Sequence, residues 1–224
     1  MRDAGDSDRG QQGVGRPPAL KVEQVVDEAI ALADEEGIES LSMAKLARRL
    51  GVGTMTIYGY VTDKQHLLDL VAERIFEDLE VGDEPVVGAR LKSFFHDFRQ
   101  AALARPALAL LLAGGRITIP AVFDTLEKAF EPVADRREDV EQAVRAFYAA
   151  LTYTLGFVLW EIPRTRLQSR DHYTEQWTSL LAGLDPDTYP ILTGPAQPTL
   201  TSTASDDQFH WGLDRLLEGL ADSV

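Results

Sequence analysis

The chain has 224 residues, 45% hydrophobic and 26% charged, a balance that supports one or two ordinary cores and excludes a wholly disordered polypeptide. Its formal net charge of −14 excludes nucleic-acid binding by overall attraction, so any DNA contact must come from a local basic patch. The lack of cysteine excludes disulfides, thiolate metal sites and cysteine nucleophiles.

Residues 1–19 are polar and Gly-rich, read as a disordered tail without the apolar core of a signal peptide, and Pro17-Pro18 ends it. From Leu20, Val22, Val25, Val26, Ala29, Ile30 and Ala33 recur at helical spacing, and Gly37 stops this first helix. Ser42 is the N-cap of a second helix, with Leu41 placed to staple onto Leu46, and Gly51 ends it. A third helix starts around Gly53. Thr62 followed by Gln65 reads as a capping box for a fourth, whose apolar stripe is Leu67, Leu68, Val71, Ile75 and Leu79.

After a Gly/Pro break at 82–88 the pattern stays helical: Leu91 to Ala102, Leu108 to Ala113, Pro120 to Phe130, and a long helix from Glu138 to Glu161 closed by Pro163. Residues 172–184 are helical, 185–204 form a Pro-rich flexible connection, and a last helix spans Asp206 to Ala221. No strand alternation, repeat or membrane-length apolar run is present, so the expected class is all-α, with a cytoplasmic location.

The segment Ser42 to Lys64 reads as two short helices around a tight Gly turn, the pattern of a helix-turn-helix. Within it Lys45, Arg48, Arg49 and Lys64 outnumber the single acid Asp63, against the acidic background of the chain. Thr54, Met55, Thr56, Gly59 and Tyr60 fall on the outward side, while Ile57 and Val61 point to the core. Thr56 can bond a base or phosphate, Tyr58 and Tyr60 can donate to phosphates, and Lys64 suits a phosphate. The alternative for Lys45, Arg48 and Arg49 is a solvated face.

The stretch GIESLSMAKLARRLGVGTMTIYGYVTDKQHLLDLV resembles the DNA-binding domain of the tetracycline-repressor family of bacterial transcriptional regulators over residues 20–80. The marks are Gly37, Leu46-Ala47, Leu50-Gly51-Val52, Thr56-Ile57-Tyr58, Val61, Lys64 and Leu67-Leu68. Phe209 to Leu220, FHWGLDRLLEGL, resembles the last helix of that family's regulatory domain, placing effector binding and dimerisation in residues 88–224. The resemblance implies a non-enzymatic, cofactor-free homodimer that binds palindromic operator DNA and is released by a small molecule. It places Met43, Ala44, Thr54, Met55, Thr56, Tyr58, Tyr60 and Lys64 at operator-contacting positions. Two reading positions depart from the pattern: Ala44 stands where many relatives carry Arg, and Gly59 replaces a larger residue in mid-helix. Glu80 stands where tetracycline repressors anchor their ligand with a histidine, which argues against a magnesium–tetracycline effector.

Small residues recur every seven positions, Ser205, Gly212 and Gly219 on the last helix and Ala149 and Gly156 on the long one, flanked by Leu213, Leu216, Leu217 and Leu220. Such stripes allow close helix approach, either in a four-helix dimer bundle or within one subunit. Candidate effector-lining groups are Phe94, Phe98, Phe147, Trp160 and Trp177, with His96, Arg99, Tyr148, Tyr153 or His172 as polar anchors. The four histidines show no metal-ligand spacing. Two other readings stand beside the regulator: a helical interaction module that has lost DNA binding, and a small enzyme using His96, Asp97 and Glu161. The second lacks any nucleophile elbow, P-loop, dinucleotide or metal motif.

Overall fold

The computed structural model describes residues 20–77, 79–114, 120–166, 170–202 and 205–221, all helices and turns, so the tail at 1–19 lies outside the described residues. Helix α1, Val22–Glu36, buries Val25, Val26, Ala29, Ile30, Leu32 and Ala33. It stops at Gly37, whose φ of 84° is a conformation that L side chains rarely adopt. In α2, Met43–Arg49, the Lys45 amide donates to the Ser42 hydroxyl at 3.3 Å, which satisfies one of the free donors of the first turn. Ser42→Ala is expected to lower stability by about 1 kcal/mol in urea denaturation. Gly51, φ 67°, then turns the chain into α3, Thr54–Ile57.

Helix α4, Lys64–Phe76, is capped by Asp63 rather than Thr62. The His66 amide donates to the Asp63 carboxylate at 2.9 Å and holds it below the usual carboxylate range. The Thr62 amide and hydroxyl turn instead to the His66 ring, at 3.2 and 3.3 Å. Both residues are good caps, and the imidazole four positions on decides between them. The stripe ends on Phe76, and Leu79 follows the helix.

The regulatory half comprises α5, Val87–Ala104; α6, Pro106–Ala113; α7, Pro120–Phe130; α8, Arg137–Arg166; α9, Arg170–Ala182; α10, Gln197–Thr201; and α11, Asp206–Ala221. Helices α5, α8 and α11 pack on one another, while α6 and α7 join them to α4 and α1. One apolar core therefore runs unbroken from the N-terminal helices into the C-terminal half. The α9–α10 arm packs mainly on itself and touches α8. Residues 185–202 form turns and α10, with Tyr189, Ile191 and Leu192 exposed.

Two expectations about α8 change. It runs past Pro163 to Arg166, because a proline this close to the end removes only one of the last intrahelical bonds. Its stretch Arg137–Pro163 is, by length and composition alone, apolar enough to cross a membrane, although only a third of its most apolar window is buried. The core face carries Ala143, Phe147, Ala150, Leu151, Thr154 and Val158; the opposite face leaves Tyr148, Ala149, Gly156 and Trp160 exposed.

Candidate nucleic-acid interface and effector core

Ile57 and Val61, 0% and 1% exposed, anchor α3 to the core. That fixes what must point outward: Thr54, Met55, Thr56, Tyr58 and Gly59 are exposed and Tyr60 is half-buried. Met55 is 80% exposed, well beyond what a methionine in an ordinary fold leaves to water. Gly59 is not in mid-helix, since α3 ends at Ile57 and Gly59 lies in the following turn. There its amide donates to the Thr56 carbonyl at 3.1 Å, and a Cβ would sit 3.1 Å from that same oxygen, a tight contact that a larger residue would have to relieve by a shift of a few tenths of an ångström.

The cations divide by partner. Lys45 is bonded to Glu36 at 2.7 Å. Arg49 is held by Glu28 and, at 2.5 and 3.1 Å, by Glu35, which lowers the Glu35 carboxyl pKa; this is a brace between α2 and α1. Arg48 and Lys64 are exposed and pair with no carboxylate among the described residues. Met43 is buried, a correction to its expected place on the DNA face: with the N-cap at Ser42, the first helical position turns into the core and Ala44 turns out.

The expected effector residues separate into two groups. Phe94, Phe98 and Phe147 converge, with Phe94 6.3 Å from both of the others between ring centroids. They line an enclosed cavity of about 10 Å³, completed by Phe76, Leu112, Val122, Thr125 and Leu151. That volume is near the lower limit for one water. Phe76 stacks on Phe98 at 6.2 Å and belongs to α4, so a residue absent from the sequence-based set joins the cavity wall to the reading head. The signal was present: Phe76 lies one turn beyond Ala72 on the buried stripe.

The others do not reach the cavity wall. Tyr148 and Trp160 are exposed and Trp177 is half-buried on the α9 arm. His96 lies on the surface, 3.0 Å from Asp97 and stacked on His210. Tyr153 packs on Gly212 and Phe209, and His172 is exposed on α9. Arg99 is fully buried, bonded to Glu161 at 2.9 and 3.1 Å and to Asp206 at 2.8 Å, with its guanidinium against Phe209 and Phe157. His96, Asp97 and Glu161 therefore do not meet as a catalytic group. A larger cleft between α7 and α8, about 770 Å³, is an open surface groove lined by Asp124, Glu127, Lys128 and Glu131 together with Phe130, Ala134 and Val140. Its openness makes it a poor match for a ligand that must be largely buried.

The expected dimer set also divides. Ala149, Gly156 and Leu216 are exposed. Gly212 and Leu213 are buried within the subunit: Tyr153 lies over Gly212, its hydroxyl donating to the carbonyls of Gln208 and Phe209 at 3.2 and 3.1 Å. Ser205 caps α11, accepting from the Gln208 amide at 3.2 Å. Gly219 and Leu220 belong to α11, and their surroundings lie outside what the structure describes. Trp211, 61% exposed on α11, is an outward aromatic that the small-residue pattern passed over.

Two family models match the chain: bacterial regulatory proteins of the tetR family over residues 25–71, and the tetracyclin repressor-like C-terminal domain over residues 84–224. The HTH-type transcriptional repressor DrrR1 of Streptomyces coeruleorubidus is 28% identical over 217 residues, covering 92% of this chain and 79% of its own. The class E tetracycline repressor of Escherichia coli is 27% identical over 206 residues, covering 90% and 91%. The structure of Streptomyces coelicolor ActR in complex with actinorhodin matches with a TM-score of 0.77 at 26% identity, over 93% of this chain and 98% of that one. With both halves matched in order and the helix-turn-helix in place, the chain belongs to the tetracycline-repressor family of DNA-binding transcriptional regulators.

Proposed function

We propose that the chain is a homodimeric repressor that reads a palindromic operator through α3 and releases it when a small, largely apolar molecule opens the Phe-lined cavity. The observation that carries this reading is the outward face of Thr54, Met55, Thr56 and Tyr58 over a rigid base of Ile57 and Val61, flanked by Lys64. A DNA-reading role supports a cytoplasmic location.

The dimer reading is supported by apolar residues that α8 and α11 leave in water, Ala149, Gly156 and Trp160 on the first and Trp211 and Leu216 on the second, with Trp160 38% and Trp211 61% exposed. Apolar patches of this kind mark interaction surfaces in monomers that would otherwise be polar. A two-fold pair of such faces sets the spacing of two reading heads, as a palindrome requires. The effector class follows from the cavity wall, which is aromatic and aliphatic except for Thr125. ActR, of similar fold and solved with actinorhodin, supports a small-molecule ligand. Because the cavity holds about 10 Å³ and Phe76 forms part of its wall, a ligand that occupies it must displace the wall side chains, that of α4 among them. Differential affinity for the open form is what shifts the two-state balance away from DNA.

Gel-shift titration on the DNA upstream of the chain's own gene tests the operator reading. A sequence-specific complex that weakens steeply between about 50 and 200 mM salt is expected. Lys64→Ala, which removes one phosphate contact from each half of the dimer, should weaken it on all sequences alike and reduce the salt slope by about two. Binding that ignores sequence or salt overturns the reading.

A further inference from the structure

We propose that this reading head identifies its operator through the 5-methyl groups of thymine, by apolar contact from Met55, Thr54, Thr56 and Ala44, and not through bidentate hydrogen bonds. The inference rests on the operator reading above and adds the chemistry by which the bases are told apart.

Direct readout of purines and cytosine relies on Arg or Lys on guanine, Asn or Gln on adenine, and Asp or Glu on cytosine. From Gly51 to Val61 no residue is charged or carries an amide, so α3 and the turns on both sides of it lack every one of these pairings. The neighbouring helix does not replace them. At its N-terminal end Ser42, which accepts the Lys45 amide, offers only a hydroxyl, Met43 is buried and Ala44 presents only a methyl group. Lys45 and Arg49 are engaged by the acids of α1. Arg48 and Lys64 stand outside α3, in the last turn of α2 and the first of α4, where a cation positions the protein on the phosphate backbone without reading sequence.

What remains is hydroxyls and apolar groups. A threonine or tyrosine hydroxyl both donates and accepts, so it can satisfy any base edge and discriminates weakly. Thymine alone among the four bases carries a methyl group in the major groove. Met55, with 80% of its surface in water, and the methyls of Thr54, Thr56 and Ala44 gain by covering it.

The test replaces thymine by deoxyuridine, which removes the methyl and leaves every Watson–Crick group in place. An operator is first obtained by in vitro selection from random duplexes, and each half-site thymine is then exchanged in turn. Each contacted methyl lost should weaken binding about fourfold, and about sixteenfold when both symmetric positions are changed. Met55→Ala should bind the thymine and uracil duplexes equally at the position it covers, with its circular dichroism unchanged. Sequence-specific binding that tolerates complete uracil substitution, or a selected half-site whose discriminating pairs are all G·C, overturns the inference while leaving the operator reading intact. Failure to select any sequence overturns both.

Discussion

Glu161→Leu is expected to destabilise the folded chain by about 3 kcal/mol, the lower end of the cost of stranding a buried charge. Arg99 and Glu161 are both fully buried, and the guanidinium lies against the touching Phe157 and Phe209 rings, 5.5 and 4.8 Å from their centroids, which leaves little room for water to replace a lost carboxylate. Asp206 holds the same guanidinium at 2.8 Å and is itself partly in water, which keeps the loss from the upper end of the range. For a chain of this size the change is a fall in Tm of about 6–12 °C, measured at fixed protein concentration because oligomerisation also shifts Tm. The double variant Arg99→Met with Glu161→Leu removes both charges and fills the space with apolar groups, so it should recover most of the loss. A single-variant loss below about 1 kcal/mol would show that the pair behaves as a solvated surface bridge. The three groups belong to α5, α8 and α11, so the variant also tests whether this ionic clamp, and not apolar packing alone, fixes the three helices together.

The parts of the fold that were legible in the sequence are those written in local chemistry. Gly37 and Gly51 end helices because the chain needs positive φ there, Ser42 caps α2, and α11 spans the expected Asp206–Ala221. The outward face of α3 followed from the spacing of Ile57 and Val61. What stayed hidden depends on residues distant in sequence. The periodicity that selected Gly212 records that something presses close to it, and that neighbour is Tyr153 of the same subunit, not a second copy. Arg99 looks like a polar ligand anchor until Glu161, 62 residues away, is seen to occupy it. The cavity could not be read at all beyond its phenylalanines, because Leu112, Val122 and Thr125 come from two short helices whose packing on α4 and α5 no local signal encodes.

The same distinction decides how the dimer should be broken. Gly156→Arg is expected to give a well-folded monomer that binds operator at least about a hundredfold more weakly. A Cβ on Gly156 meets nothing within 4 Å, and removing a helix-interior glycine favours the helix by up to about 1 kcal/mol, so the substitution leaves the subunit intact. What it changes is the exposed face shared with Ala149 and Trp160, where a long charged side chain prevents two apolar surfaces from closing. Gly212→Arg has the opposite character: any Cβ there overlaps the Tyr153 phenol, which must give up its place against α11 and its bonds to the Gln208 and Phe209 carbonyls, so it should lower Tm before it reports on assembly. The expected result is therefore a split, monomer mass by light scattering with native ellipticity for Gly156→Arg, and destabilisation for Gly212→Arg. The loss of operator affinity in the first follows from geometry: separate reading heads lose the high effective concentration with which one bound half-site presents the second. A Gly156→Arg protein that remains a dimer and binds normally would place the interface away from the α8 face.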